Sequence, residues 1–119
     1  MTTGMRTVLY PVADLATAKD LYGTLLGVAP SVDAPYYVGF DVEGQHVGLD
    51  PNGHSKGMTG PLGYWHVDDI EASVAALTAA GAEVVQAATD VGGGKLIATL
   101  HDGDGNTIGL LQQPAGGWS

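Results

Sequence analysis

Val12-Ala-Asp14-Leu15 and Val67-Asp-Asp69-Ile70 carry one signal, Val-x-Asp followed by Leu or Ile, at positions 55 residues apart. A fixed internal offset marks a chain built from copies of one unit. At each copy the Asp can cap a helix, because its carboxylate accepts hydrogen bonds from the unpaired N–H groups of the first turn. After Asp14, residues Leu15, Ala18, Tyr22, Leu25 and Leu26 fall on one helical face, and Gly27 supplies the stop. After Asp69 the stripe is Ile70, Val74 and Leu77, and Gly81 ends it. Working outward, Arg6 to Val12 and Leu62 to Val67 are β-rich runs, so each cap follows a strand. Beyond the helices a second pair of segments matches, Phe40 to Leu49 and His101 to Leu110, at an offset of 61. Glu43-Gly44 and Asp104-Gly105 hold equivalent places in them, where a tight hairpin needs positive φ. Each copy reads strand, helix, strand, strand, strand. Two such βαβββ modules, about 5–50 and 62–112, with a Gly-, Pro- and Asn-rich linker at 51–61, fill the 119 residues as a single domain.

Composition narrows what the modules can do. Thirteen Asp plus Glu against four Lys plus Arg give a net charge of -9, and Arg6, Lys19, Lys56 and Lys95 are scattered. That field disfavours nucleic acid, which needs clustered cations along its phosphates. With 45% hydrophobic and 14% charged residues the chain is globular in composition, and at this length it buries roughly two-thirds of its unfolded surface. The absence of cysteine removes disulfides, thiolate nucleophiles and Cys-ligated zinc, so a metal site would have to use His, Asp or Glu. Met1 to Thr7 has no signal-peptide pattern, and no run approaches the ~20 apolar residues of a membrane helix, so a cytoplasmic location without membrane contact is expected.

Three motif matches fail. Gly92-Gly-Gly-Lys95 lacks the Ser or Thr and the following helix of a phosphate loop. Asp102-x-Asp104-x-Asn106 begins like a calcium loop but has Thr107 at the Gly position and Gln113 in place of the closing Glu. Both are expected to be turns. The four serines, Ser31, Ser55, Ser73 and Ser119, have no neighbouring base and no nucleophile elbow.

The residues Val12-Ala-Asp-Leu-x-x-Ala-Lys-x-x-Tyr22-x-x-Leu-Leu-Gly27, Val67-Asp-Asp-Ile70 and Asp102-Gly-Asp-Gly-Asn106 resemble the vicinal oxygen chelate superfamily, which includes glyoxalases, extradiol dioxygenases and bleomycin-resistance proteins. The resemblance covers nearly the whole chain. It implies an α+β fold in which two βαβββ modules form a cup-shaped mixed sheet with helices on the outer face. It also implies four inward positions that hold His, Gln or Glu in metal-dependent members. By the two repeats those positions are Thr7, Leu62, Gly48 and Gly109. Glycine and leucine offer no donor and a lone threonine is a poor ligand, so neither a metal nor any other cofactor is expected. The fold hosts many chemistries, and function has to be argued from the site.

Alternation along the strands lists the rest of the inward face. It carries Leu9, His46, Tyr64, His66 and Leu111 with the four positions above, while Val8, Tyr10, Val47, Trp65 and Val67 face the helices. Two-residue turns would pair residue 39 with 48 and 100 with 109, adding Tyr37, Gly39 and Asp41, then Leu96, Ala98 and Leu100. The expected ligand contacts are Leu9, Tyr37, Gly39, His46, Gly48, Leu62, Tyr64, His66, Leu96, Leu100 and Gly109. The wall is aliphatic and aromatic with a few polar groups, the profile of a small-molecule pocket, and the two glycines leave floor for a flat aromatic ligand. On their own, His46 beside a turn and His54 in the linker would be solvated, and His101 would face the helix with Thr99. Trp118 belongs to a Gly-rich tail expected to be disordered. The expected function is metal-free sequestration of a small apolar, aromatic molecule such as a natural-product antibiotic, by a homodimer. The alternatives are a glyoxalase- or dioxygenase-like enzyme with displaced metal ligands, an acid–base enzyme using His46 and His66, and a structural dimer whose cup is closed.

Overall fold

The computed structural model describes residues 2–114, so the tail with Trp118 lies outside the described residues. The architecture is α+β. Residues 6–63 form one compact unit, and residues 2–5 with 64–114 form another.

The part of β1 (Thr2–Pro11) that lies in the first unit, residues 6–11, leads into Asp14, whose side chain accepts from the Thr17 N–H at 3.1 Å and opens α1 (Leu15–Leu26). Gly27 ends the helix in the left-handed conformation at φ 71°. β2 (Val32–Ala34), β3 (Tyr37–Val42) and β4 (Gln45–Asp50) follow, giving the order β2-β3-β4-β1 with β1 parallel to β4 and the other pairs antiparallel. Val42 pairs with Gln45, so the turn is Glu43-Gly44 alone, both at positive φ. That turn places Gly39 opposite Gly48 and Asp41 opposite His46, as the alternation requires. The helix side of this sheet holds the core: Val38, Phe40 and Leu49 are fully buried against Ala18, Tyr22 and Leu26. Each such side chain contributes about 1.5–3 kcal/mol. Leu25, placed on the packed face by the helical spacing, is instead 75% exposed, because Leu26 and Tyr22 already fill the stripe over the sheet.

The second unit repeats the plan. β5 (Leu62–Val67) runs to Asp69, whose carboxylate accepts from the Ala72 N–H at 3.1 Å and caps α2 (Ile70–Ala79). β6 (Glu83–Asp90), β7 (Leu96–His101) and β8 (Thr107–Gln112) complete the order β5-β8-β7-β6, with β5 parallel to β8 and the rest antiparallel. Gly92 to Gly94 make the β6–β7 turn with positive φ.

Here one expectation fails. His101 pairs with Thr107, Thr99 with Gly109 and Leu100 with Ile108, so the second hairpin is one residue out of the expected register. The cause is the loop 102–106. The Asp102 carboxylate accepts from the Asp104 and Asn106 backbone N–H groups, both at 2.9 Å, and from the Asn106 amide at 3.0 Å. The Asp102 N–H in turn donates to the Asn106 carbonyl, closing five residues where the first hairpin closes two. A slip of one residue sends every side chain of β7 to the other face. Ala98 and Leu100 therefore sit in the helix-side core with Val67, Ile70 and Leu110, and Leu96 packs against it. Thr99 and His101 turn to the face of Gly109, the reverse of the side expected for them.

Candidate functional site

On the sheet face opposite α1, three residues of one hairpin meet. The Tyr37 Oη lies 2.6 Å from His46 Nε2, and His46 Nδ1 lies 2.8 Å from Asp41 Oδ1. Alternation places all three on one face, since 37, 39 and 41 share a side of β3 and Asp41 pairs with His46 on β4. The two rings are within 14° of parallel with centroids 6.0 Å apart. With Oη and Nε2 in contact, the two nearly parallel rings meet at their polar atoms and share one surface.

Two glycines make room for that surface. A Cβ at residue 39 would stand 2.7 Å from His46 Cε1, and one at residue 48 would overlap the Tyr37 phenol oxygen and Leu9 Cδ2. Glycine within a strand weakens it and often marks a close approach, which here comes from the Tyr37–His46 pair. The floor space expected at Gly48 for a ligand is thus taken by the protein's own phenol. His46, expected to be solvated, is only 8% exposed. The Asp41 carboxyl titrates below the ordinary aspartate range, first because the Ser31 hydroxyl hydrogen-bonds to it and then because of His46, with desolvation opposing both.

The remaining expected contacts divide. Leu9 pairs with Gly48 across β1 and β4 and borders Tyr37. Leu62 is half-buried at the start of β5. In the second unit Tyr64 pairs with Gly109 and His66 with Leu111, so these four share one face, and Tyr64 and His66 are buried. The Gln113 amide lies 3.4 Å from His66 Nδ1, beside a 260 Å³ recess lined also by Thr3, Asp68 and Gln112. Leu96 and Leu100 belong to the helix-side core and leave the expected site. His54 and His101 are exposed. Sequence alternation put Asp41 on the inward face, but nothing in it shows the Asp41–His46–Tyr37 chain, which depends on side-chain rotamers.

The donors do not fit a metal. Thr7 is buried opposite His46, Gly48 is covered by Tyr37, and Gly109 and Leu62 have no donor atom. Nearby Asp50 is committed to Lys56 at 2.9 Å and to the Asn52 N–H at 2.8 Å. Among the described residues no group of three or more His, Asp or Glu could hold a metal ion. The calcium-like run at Asp102 spends its carboxylate on its own loop. No helix among the described residues is long and apolar enough to cross a membrane.

A family model described as the Glyoxalase/Bleomycin resistance protein/Dioxygenase superfamily matches residues 4–110. Among solved structures, methylmalonyl-CoA epimerase from Mycobacterium tuberculosis is 23% identical, covering 96% of this chain and 89% of that one, with a TM-score of 0.68. A structure described as NAD-dependent benzaldehyde dehydrogenase from Legionella pneumophila is 17% identical over 89% of this chain and 96% of that one, at a TM-score of 0.72. The Mn(II)-bound glyoxalase from Novosphingobium aromaticivorans is 21% identical over 93% of this chain and 39% of that one, at 0.68. At these identities the likeness is one of fold. No curated protein sequence matches the chain.

Proposed function

The chain belongs to the Glyoxalase/Bleomycin resistance protein/Dioxygenase superfamily, and from that premise we propose that it is a metal-free member that binds a small, apolar, aromatic molecule such as a natural-product antibiotic. The observation that carries this reading is the inner face of the first unit. Where a metal-binding member needs a donor at position 48, the place is filled by the Tyr37 phenol and a Leu9 methyl over two glycines. Such a surface stacks a planar ring, and the one buried imidazole beside it supplies polarity at one edge. A ligand burying about 300 Å² of apolar surface gains roughly 7 kcal/mol before association costs, enough for micromolar binding without chemistry. The protein acts as a homodimer in this reading, supported by β6, an eight-residue outer strand exposing Val84 and Val85.

The test is a native mass spectrum of protein purified without chelators or a metal-affinity tag, followed by titration with aromatic antibiotics. A metal-free dimer that binds such a compound supports the proposal. Stoichiometric transition metal, or no binding of any apolar aromatic compound, would sink it.

A second reading is a metal-free acid–base enzyme, favoured by the imidazole held between a carboxylate and a phenol, which can take up and return a proton. Chemical conversion of a bound compound, lost in His46→Ala, would select it.

A further inference from the structure

We propose that the recess at the carboxyl ends of β5 and β8 binds a small organic ammonium that carries a carbonyl oxygen one carbon away, an α-amino amide. The site lies wholly within the second unit. It does not rest on the binding reading above, whose carrying observation belongs to the first unit.

The recess is built by the strand pairing. β5 and β8 run parallel with His66 opposite Leu111, so both strands finish at the same end of their sheet. The residues that end and follow them, Val67 with Asp68 and Gln112 to Pro114, line a space of 260 Å³ together with Thr3 and His66. That volume is just below the ~300 Å³ at which sites for drug-sized ligands begin, so it suits a compact molecule. Its back is fixed before any ligand arrives. His66 is 5% exposed, its carbonyl accepts from the Thr2 hydroxyl at 2.7 Å, and the Gln113 amide lies 3.4 Å from its Nδ1. Val67 and Pro114 add an apolar wall for a short aliphatic group.

Two side chains set the chemistry. Asp68 is the acid of the lining, exposed at the mouth, and it makes no ion pair among the described residues. Its neighbour Asp69 is spent on the Ala72 N–H at the start of α2. Gln112 supplies the opposite polarity. The Ile70 N–H lies 2.7 Å from its side chain, and since a backbone N–H can only donate, the atom facing it must be the amide oxygen. That bond fixes which way round the amide sits and leaves its NH₂ as the group with hydrogens to give. A carboxylate and an amide donor in one recess are both answered by a ligand with a cationic N–H and an acceptor oxygen. A simple anion would meet the Asp68 charge, and a simple cation would leave the Gln112 NH₂ without an acceptor.

The test titrates the protein with valinamide at about pH 6.5, where an α-amino group holds its proton, and follows backbone and side-chain amide shifts by NMR. Saturable shifts at Val67, Gln112 and Gln113 are expected. Two probes separate the two contacts: 2-hydroxy-3-methylbutanamide replaces the ammonium with a hydroxyl, and isobutylamine keeps the ammonium but lacks the carboxamide. The hydroxy compound should bind about tenfold more weakly, the loss of one charge-assisted hydrogen bond, and isobutylamine about fivefold more weakly, the loss of a neutral one. Asp68→Asn should reduce valinamide to the level of the hydroxy compound. Asp104→Asn removes the same charge from an exposed loop elsewhere and should change nothing. Gln112→Glu keeps an oxygen for the Ile70 N–H but removes the NH₂, so valinamide should lose its advantage over isobutylamine. Equal binding of valinamide and its hydroxy analogue, or equal losses in the two aspartate variants, would overturn the proposal, because the protein's overall charge would then account for any attraction. Absence of saturable shifts at the recess would overturn it as well, and neither result would bear on aromatic binding in the first unit.

Discussion

Residues 39 and 48 face each other across a hairpin, and both are glycine although glycine is among the poorest strand formers. Their value lies in what they leave out, because any side chain at 48 would land on the Tyr37 phenol. Gly48→Ala is therefore expected to cost about 1–3 kcal/mol in denaturant melts, the range for overpacking, and to break the contact between Tyr37 and His46. An unchanged midpoint with an unchanged His46 ¹⁵N spectrum would contradict this. Asp41 gives a pH dependence of defined sign. Its folded pKa is depressed, so its stabilisation is present above the ordinary aspartate range and is lost as the pH falls through the folded value. Asp41→Asn should flatten the acid limb of the stability profile, measured by thermal unfolding below about pH 5. At this scale the sequence was legible as far as the backbone goes. Period-2 alternation put Tyr37, Gly39 and Asp41 on the inward face beside His46 and Gly48, but it could not say that Tyr37 would fold over the glycines, since that is set by torsions about the side chain.

Elements were more legible at their starts than in their pairing. Asp14 and Asp69 both cap the helices that follow them, because a carboxylate three residues before an unpaired N–H is a local chemical fact. Asp69→Ala should lower stability by about 1 kcal/mol, and Ile70→Ala, which empties a fully buried site one residue later, by about 2–5 kcal/mol. Chemical denaturation of the two variants side by side checks the order, and equal losses would refute it. The hairpins show the limit. Glu43-Gly44 and Asp104-Gly105 look alike in sequence, yet the first closes as a two-residue turn and the second as a five-residue loop. The difference comes from Asp102, whose carboxylate competes for backbone N–H groups and so lengthens the loop. That competition is a local side-chain effect that the repeat spacing does not reveal, and it moved Leu96 and Leu100 from the expected ligand wall into the core.

For the whole molecule, the internal repeat carried the architecture: two βαβββ units, each with its own helix-backed core. What the repeat could not carry is chemistry, because the superfamily's fold is compatible with many sites. The net charge of -9 acts at this scale as well. Self-repulsion among thirteen acids opposes compaction, and salt screens it. Raising ionic strength from about 0.01 M to about 0.15 M should raise the melting temperature, measured by calorimetry, and a fall would mean that attractive pairs dominate.

The extra loop residues of the second hairpin also limit how the two copies can exchange parts. A designer wishing to transplant the Tyr37 device by the 61-residue offset would substitute position 98, where Ala98 is fully buried in the helix-side core. A tyrosine there would be forced into packed aliphatic side chains rather than across an open strand. The copies remain interchangeable in backbone plan but not in side-chain grammar, so the second half could acquire such a device only after its loop had first been shortened back into phase.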